Sequence, residues 1–232
     1  MKILITGASG SIGGECLIQC LSHPSISTVV AFVRRDLSTD VSNHPKLKCI
    51  LIKDFSQWPE EVLQAHADAA GMIWAMGSYK GSRAVDLEYP LAFMESMLRV
   101  LGTRPSRPRF RYVHLGGMFT RQDQEKKLWL LEYPRKIRGL AEAKVAEFAN
   151  CHSDTWRTFV VRPGGVATES IMGSRTVAAM LGENWCVRIE ELGAFMTYLA
   201  IDGEGESSMI ENAHIARKGR ELLKLQQGSL RS

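Results

Sequence analysis

A doubly wound α/β fold, a mostly parallel sheet with helices on both faces, is what this sequence predicts. Three observations predict it. A glycine-rich turn joins the first apolar run to the first helical pattern. Short β-branched runs then alternate with helical stripes along the chain, as strands and crossover helices do. The 232 residues suit one such domain. Residues 1–232 are therefore read as a single domain, with 165–188 as a small lid segment towards the C-terminus.

Each element follows from its local pattern. Lys2–Thr6 is a short apolar run with β-propensity, Gly7–Gly14 the turn, and Ser11–Leu21 a helix whose stripe carries Ile12, Cys16, Leu17, Cys20 and Leu21. Thr28–Val33 is a second buried strand, which completes a β-turn-α-β unit. Leu47–Ile52, Gly71–Ala75, Arg109–Leu115 and Thr158–Val161 read as further strands. Trp58–Ala65, Leu91–Leu101 and Glu190–Ile201 read as helices, with Pro90 in a first turn, where no N–H is required. Ile137, Leu140, Ala141, Lys144, Val145 and Phe148 form another helical stripe, with Lys144 its one polar member. Arg104–Arg111 is a Pro-rich basic loop, and Gly228–Ser232 a frayed tail.

Composition removes several function classes. With 45% apolar and 23% charged residues the chain is neither disordered nor fibrous. A net charge of +4 is too mild to indicate nucleic acid. No run approaches the ~20 apolar residues of a membrane span. The N-terminal MKILITGASG enters a strand directly, without the apolar run and cleavage site of a signal peptide. The expectation is a cytoplasmic protein, monomer or homodimer, with a small-molecule substrate and neither nucleic acid nor membrane as partner. Five scattered cysteines without CxxC spacing argue against disulfides and against a metal site, and Cys16 with Cys20 reads as a packing surface.

The strongest signal is Thr6-Gly7-Ala8-Ser9-Gly10-Ser11-Ile12-Gly13. Between a strand and a helix, the first glycine permits the tight turn and the middle one lets backbone approach a pyrophosphate. The last lets the helix pack close to the strand. Phosphate then meets helix N-terminal N–H groups. Gly7, Ser9, Gly10, Ser11 and Ile12 are thus candidate cofactor residues. At the end of the second strand an NAD site places an acidic residue for the ribose 2′-OH, whereas this chain has Arg34-Arg35-Asp36. Two guanidiniums suit a 2′-phosphate through charge-assisted bonds, so NADP is expected over NAD.

TGASGSIGG, VRR, Lys53-Asp54-Phe55 and VRPGGV together resemble the short-chain dehydrogenase/reductase superfamily. Within it the chain looks like the atypical, NmrA-like group of compact NAD(P)-binding Rossmann proteins common in fungi. The resemblance spans nearly the whole chain. It implies that Asp54 and Phe55 lie against adenine and that Ala75, Met76 and Gly77 border ribose and phosphates. It also implies that Pro163, Gly164, Gly165 and Val166 pass the nicotinamide carboxamide.

The resemblance fails at the catalytic positions. Family reductases carry a Ser after the fifth strand and a Tyr-x-x-x-Lys on the next helix. This chain has Gly116 or Gly117 for the Ser, Pro134 for the Tyr and Arg138 for the Lys. Tyr133 stands one residue early, and Pro134 is expected to break the helical geometry that would link it to Arg138. Tyr133 remains a candidate acid. Arg138 remains a candidate ribose or phosphate ligand, its fixed charge making it a poor proton relay. His114 and Thr120 are the other polar groups nearby. Tyr79, Gly117, Met118 and Met172 are candidate substrate contacts, and Ile171, Val177, Met180, Leu181 and Trp185 add to an apolar lid. Three functional readings stay open. One is an NADP-dependent oxidoreductase on a small apolar metabolite with a non-standard proton donor. The others are a redox-silent isomerase or cyclase, and a non-enzymatic NADP-binding sensor or scaffold.

Overall fold

The computed structural model describes residues 1–102, 108–168 and 182–229. Seven strands form one parallel sheet: β1 (Lys2–Thr6), β2 (Thr28–Val33), β3 (Leu47–Leu51), β4 (Gly71–Trp74), β5 (Phe110–Leu115), β6 (Trp156–Arg162) and β9 (Met209–Glu211). Their order is β3-β2-β1-β4-β5-β6-β9, so the direction of winding reverses between β1 and β4. The two-stranded parallel ribbon of β7 (Gly165–Ala167) and β8 (Cys186–Arg188) stands apart from it.

Both faces of the sheet are covered, and the strand sequences show why. In β1, Ile3 and Ile5 pack on one face while Leu4 packs on the other, all fully buried. The Ile3 face is closed by α1 (Ser11–Ser22) and α6 (Ile189–Ile201), with α7 (Asn212–Ser229) packed on α6. There Cys16 lies against Met196 and Cys20 against Thr197, so both thiols are core groups whose pKa is pushed up by burial. The Leu4 face is closed by α3 (Glu60–Gln64), α4 (Tyr89–Gly102) and α5 (Glu132–Cys151) around an aromatic cluster of Phe32, Phe55, Trp58, Trp74, Phe93 and Tyr112. A further short turn of helix, α2 (Thr39–Ser42), follows β2.

Several features differ from the sequence reading. β9 and the β7–β8 ribbon are three-residue strands, too short to show a periodicity. The short helix α2 and the whole C-terminal helix α7 are absent from that reading, and α7 runs on to Ser229, where a frayed tail is expected from Gly228. Pro90 is the second residue of α4, in its first turn as expected, but a π-helical turn at Ala84–Glu88 runs directly into that helix. A proline inside a helical run lacks its own N–H and crowds the carbonyl four residues back, and a widened π turn relieves both. Finally, the buried polar member of the α5 stripe is Glu142, while Lys144 is exposed and paired with Glu147 at 2.8 Å.

Candidate functional site

A cavity of about 790 Å³ opens at the carboxyl ends of the strands, reaching from the N-terminus of α1 across the β4, β5 and β6 exits. This is where the winding reverses, so the connections leave in opposite directions and a crevice remains. The glycine turn closes one end. Gly7 has φ +74°, and a Cβ there would sit 2.6 Å from the Ala75 carbonyl carbon. Gly13 would place a Cβ 2.1 Å from the Gly7 carbonyl oxygen, so it sets how closely α1 packs on β1. Gly10 is different: its Cβ would meet nothing nearer than the Gly7 oxygen at 3.3 Å, and the residue lines the cavity. At 3.3 Å that contact is tight without being a clash, so packing restricts a side chain at Gly10 far less than at Gly7 or Gly13. Gly10 is also the N-cap of α1, and neither a side-chain cap nor an acidic residue satisfies the first N–H groups of that helix.

Of the cofactor residues expected from sequence, Gly10, Ser11, Ile12, Ala75, Met76 and Gly77 line the cavity at the β1 and β4 exits. Pro163, Gly164, Val166 and Arg138 line it further along. Gly7 shapes the turn from below, and Ser9 is exposed beside it. Arg34 and Arg35 follow β2, exposed. Asp54 is exposed and accepts from the Ser56 N–H and hydroxyl, which hold its carboxyl below the usual carboxylate range. Phe55 differs from the reading: the residue is buried, its ring among Trp58, Trp74 and Tyr89, so its side chain belongs to the core. Tyr79, Gly117 and Met118 line the cavity as expected, and Met172 lies outside the described residues.

The start of α5 differs from the expectation. α5 starts at Glu132, after Leu131 in a left-handed conformation with φ 52°. Pro134 therefore sits in the first turn, where its missing N–H costs no bond, and the helix runs unbroken through Arg138. The expected break at Pro134 does not occur. Pro134 and Arg138, one turn apart, both face the cavity, while Tyr133 is 55% exposed and is not among the lining residues.

Two polar clusters meet the cavity instead. In the first, the Arg138 guanidinium donates to the Ser78 carbonyl and pairs with buried Asp86 at 3.7 Å. Asp86 also accepts the Ser78 and Ser82 N–H groups at 2.8 and 2.7 Å. His114 lines the same wall, 5% exposed and with no hydrogen-bond partner at Nδ1. Burial, helped by the charge of Arg138, pushes its pKa down to about 4, so the ring is neutral at pH 7. In the second cluster, fully buried Glu142 accepts the Thr120 hydroxyl at 2.8 Å and the Gly117 N–H at 3.3 Å, with the Arg162 guanidinium 3.5 Å away. Burial raises the Glu142 pKa against the pull of those partners. Thr120 lines the cavity above it.

This second cluster leaves no room for a side chain at Gly116. A Cβ at Gly116 would lie 2.3 Å from Glu142 Oε1, so the carboxylate occupies the space a side chain at 116 would need. Glu142 is absent from the sequence reading because a glutamate on a helix is ordinarily solvated. Its position one turn after Arg138, on the buried stripe, was the available signal.

No family model matches the chain, and a search of curated proteins finds no similar one. Solved structures do match. The oxidoreductase ylbE from Lactococcus lactis is 19% identical with a TM-score of 0.63, over 97% of this chain and 97% of its own. A short chain dehydrogenase from Burkholderia cenocepacia, solved in complex with NADP, is 16% identical with a TM-score of 0.61, over 99% of this chain and 94% of its own. The enzyme WbmF from Bordetella bronchiseptica, solved with NAD+, is 13% identical with a TM-score of 0.60, over 95% and 77%. At such identities the likeness is one of architecture: this chain has the Rossmann-type α/β fold of the short-chain dehydrogenases and reductases.

Proposed function

We propose that the protein is an NADP-binding oxidoreductase of the short-chain dehydrogenase/reductase type, acting on a small, largely apolar metabolite through a non-standard catalytic site. The observation that carries this reading is the open space at Gly10 beside the uncapped N-terminus of α1, on the wall of a cavity that crosses the strand exits. Solved relatives in fold bind NADP and NAD+. The first N–H groups of α1 fit a pyrophosphate, and Arg34 with Arg35 fit a 2′-phosphate. Arg138 fits a ribose hydroxyl or phosphate. The bound dinucleotide would supply or accept a hydride.

The chain's own contribution is to hold the substrate and to handle its proton. Met76, Met118 and Phe119 give the apolar wall. Thr120 hydrogen-bonds a substrate oxygen and exchanges a proton with Glu142, whose burial keeps its proton affinity high. Tyr133, outside the lining, is the secondary acid, and Tyr133→Phe lowers turnover less than about tenfold, or ~1.4 kcal/mol.

The test is fluorescence titration with NADPH and NADP+, followed by turnover on a carbonyl panel read at the nicotinamide absorbance. Micromolar NADPH binding with Thr120-dependent turnover supports the reading; the absence of dinucleotide binding by folded protein removes it. A second reading, a redox-silent isomerase or cyclase in the reused crevice, is favoured by the Glu142–Thr120 pair itself, since a buried acid/base beside an apolar cavity needs no hydride partner. Turnover without cofactor distinguishes it.

A further inference from the structure

The large apolar side chains left exposed are concentrated at one place. Trp129 is fully exposed, Leu130 is 70% and Leu131 56% exposed, and they are consecutive. Phe119 and Trp185, stacked with centroids 6.4 Å apart, are half exposed, and so is Tyr133. Phe119, Leu130 and Leu131 also line the cavity, so the apolar surface is continuous from the outside into the interior. Three exposed apolar residues in a row are unusual on a surface with no partner.

The segment is held in place, so its exposure does not come from a loose loop. Arg121 N–H donates to the Arg135 carbonyl at 2.8 Å, and Arg135 Nε donates to the Phe119 carbonyl at 2.6 Å. Gln124 Nε2 reaches the Lys136 carbonyl at 3.1 Å, and Leu128 N–H reaches Glu132 at 3.3 Å. Gly139 fixes the loop against α5, since a Cβ there would lie 2.0 Å from the Arg121 oxygen. Leu131 also accepts a left-handed φ, unfavourable for leucine, immediately before the helix.

Charge decides among the surfaces that could cover this patch. Lys126 and Lys127, both exposed, directly precede the Leu-Trp-Leu-Leu run. Residues 121 to 136 carry five basic side chains against three acidic ones. Lys80 and Arg83 belong to the loop whose Gly81 abuts Tyr133 and Pro134. A Trp-Leu tip flanked by lysines suits the boundary between anionic headgroups and acyl chains. No helix among the described residues is long and apolar enough to cross a membrane, so the contact would be peripheral.

We infer that the cavity mouth, from Lys126 to Tyr133 with Phe119, docks on an anionic phospholipid surface, so that apolar ligand enters the cavity from the lipid. The docking surface stands independently of the dinucleotide reading. Only the direction of ligand entry rests on it.

The experiment is co-sedimentation of the full chain with phosphatidylcholine vesicles, with and without phosphatidylserine, alongside NADPH titration of the same samples. Wild-type protein is expected to partition to the phosphatidylserine vesicles and to be displaced by salt. Trp129→Ala lowers the partition at least about tenfold, as does Lys126→Glu with Lys127→Glu, because the first removes the apolar anchor and the second reverses the charge beside it. These side chains lie at the exposed tip outside the cavity lining, and unchanged melting and NADPH affinity show that the fold is kept. Wild-type protein that stays in the supernatant overturns the proposal. Binding that is unaltered in both variants also overturns it, as does a Trp129-dependent dimer in sedimentation velocity without lipid binding. Failure of NADPH titration with lipid binding intact overturns the cofactor reading alone.

Discussion

The two ends of the cavity are made of different materials. At the β1 and β4 exits the wall is backbone: a turn held by Gly7 and Gly13, and helix N–H groups beside Gly10. At the β5 and β6 exits it is side chains drawn from far apart, with Thr120, Glu142 and Arg162 meeting around Gly116 and Gly117. A backbone site tolerates nothing but glycine at a few positions, and so it leaves a local mark in the sequence. A side-chain site depends on tertiary placement and leaves none.

Substitutions at the two ends should separate in kind. The largest effect is expected at Gly13: Gly13→Val puts carbon against a backbone carbonyl that cannot yield, and should cost about 3 kcal/mol or more of stability in denaturant unfolding. Gly10→Val, three residues earlier, should cost only about 1 kcal/mol of stability, because its Cβ meets a single backbone oxygen at 3.3 Å and valine is a poorer N-cap than glycine. It should nevertheless weaken NADPH binding by at least about 100-fold, or ~2.7 kcal/mol. Equal melting losses in the two variants would erase the distinction between a packing glycine and a ligand glycine.

At the other end the expected signature is pH. His114 titrates at about 4 in the folded state, against an unfolded value of about 6.5. The unfolded chain therefore binds the proton more readily. The stability this neutral ring contributes is complete above pH ~6.5 and is lost as pH falls towards 4, in all about 3 kcal/mol. His114→Gln should flatten that acid limb. Glu142 works the other way: its folded pKa is raised, chiefly by burial, so stability declines as pH rises through the folded value. Glu142→Gln should remove that slope, and unfolding curves from pH 4 to 8 measure both.

The smallest expected effect on stability concerns the two exposed arginines after β2. Arg34→Ala with Arg35→Ala should erase the preference for NADP over NAD, about 1.5–3 kcal/mol per charged hydrogen bond, while weak NAD binding and melting temperature stay put. A wild type that binds both cofactors equally would show that these guanidiniums never meet a 2′-phosphate.

Much of the fold was legible because parallel strands buried on both faces are written as apolar runs, as in Thr28–Val33 and Gly71–Trp74. β9 was not legible. Met209–Glu211 is a three-residue edge strand whose place is given by pairing with β6, not by its own pattern. The π turn before Pro90 was hidden for a related reason: the proline suggested a helix start, while the packing of Leu87 against Ile137 holds the helix on both sides of it.

The sequence by itself determined the glycine turn between β1 and α1, because the positive φ of Gly7 and the close approach of Gly13 to the Gly7 carbonyl are local constraints; the contact of Gly7 with Ala75 is a tertiary one. Tertiary structure decided what surrounds Gly116. Glu142 lies 26 residues beyond Gly116 along the chain, yet its carboxylate fills the space at that glycine, and Thr120 and Arg162 complete its hydrogen bonding. Burial raises its proton affinity and lowers that of His114. The cost of desolvating a charge depends on everything packed around it, and that surrounding is a property of the folded chain.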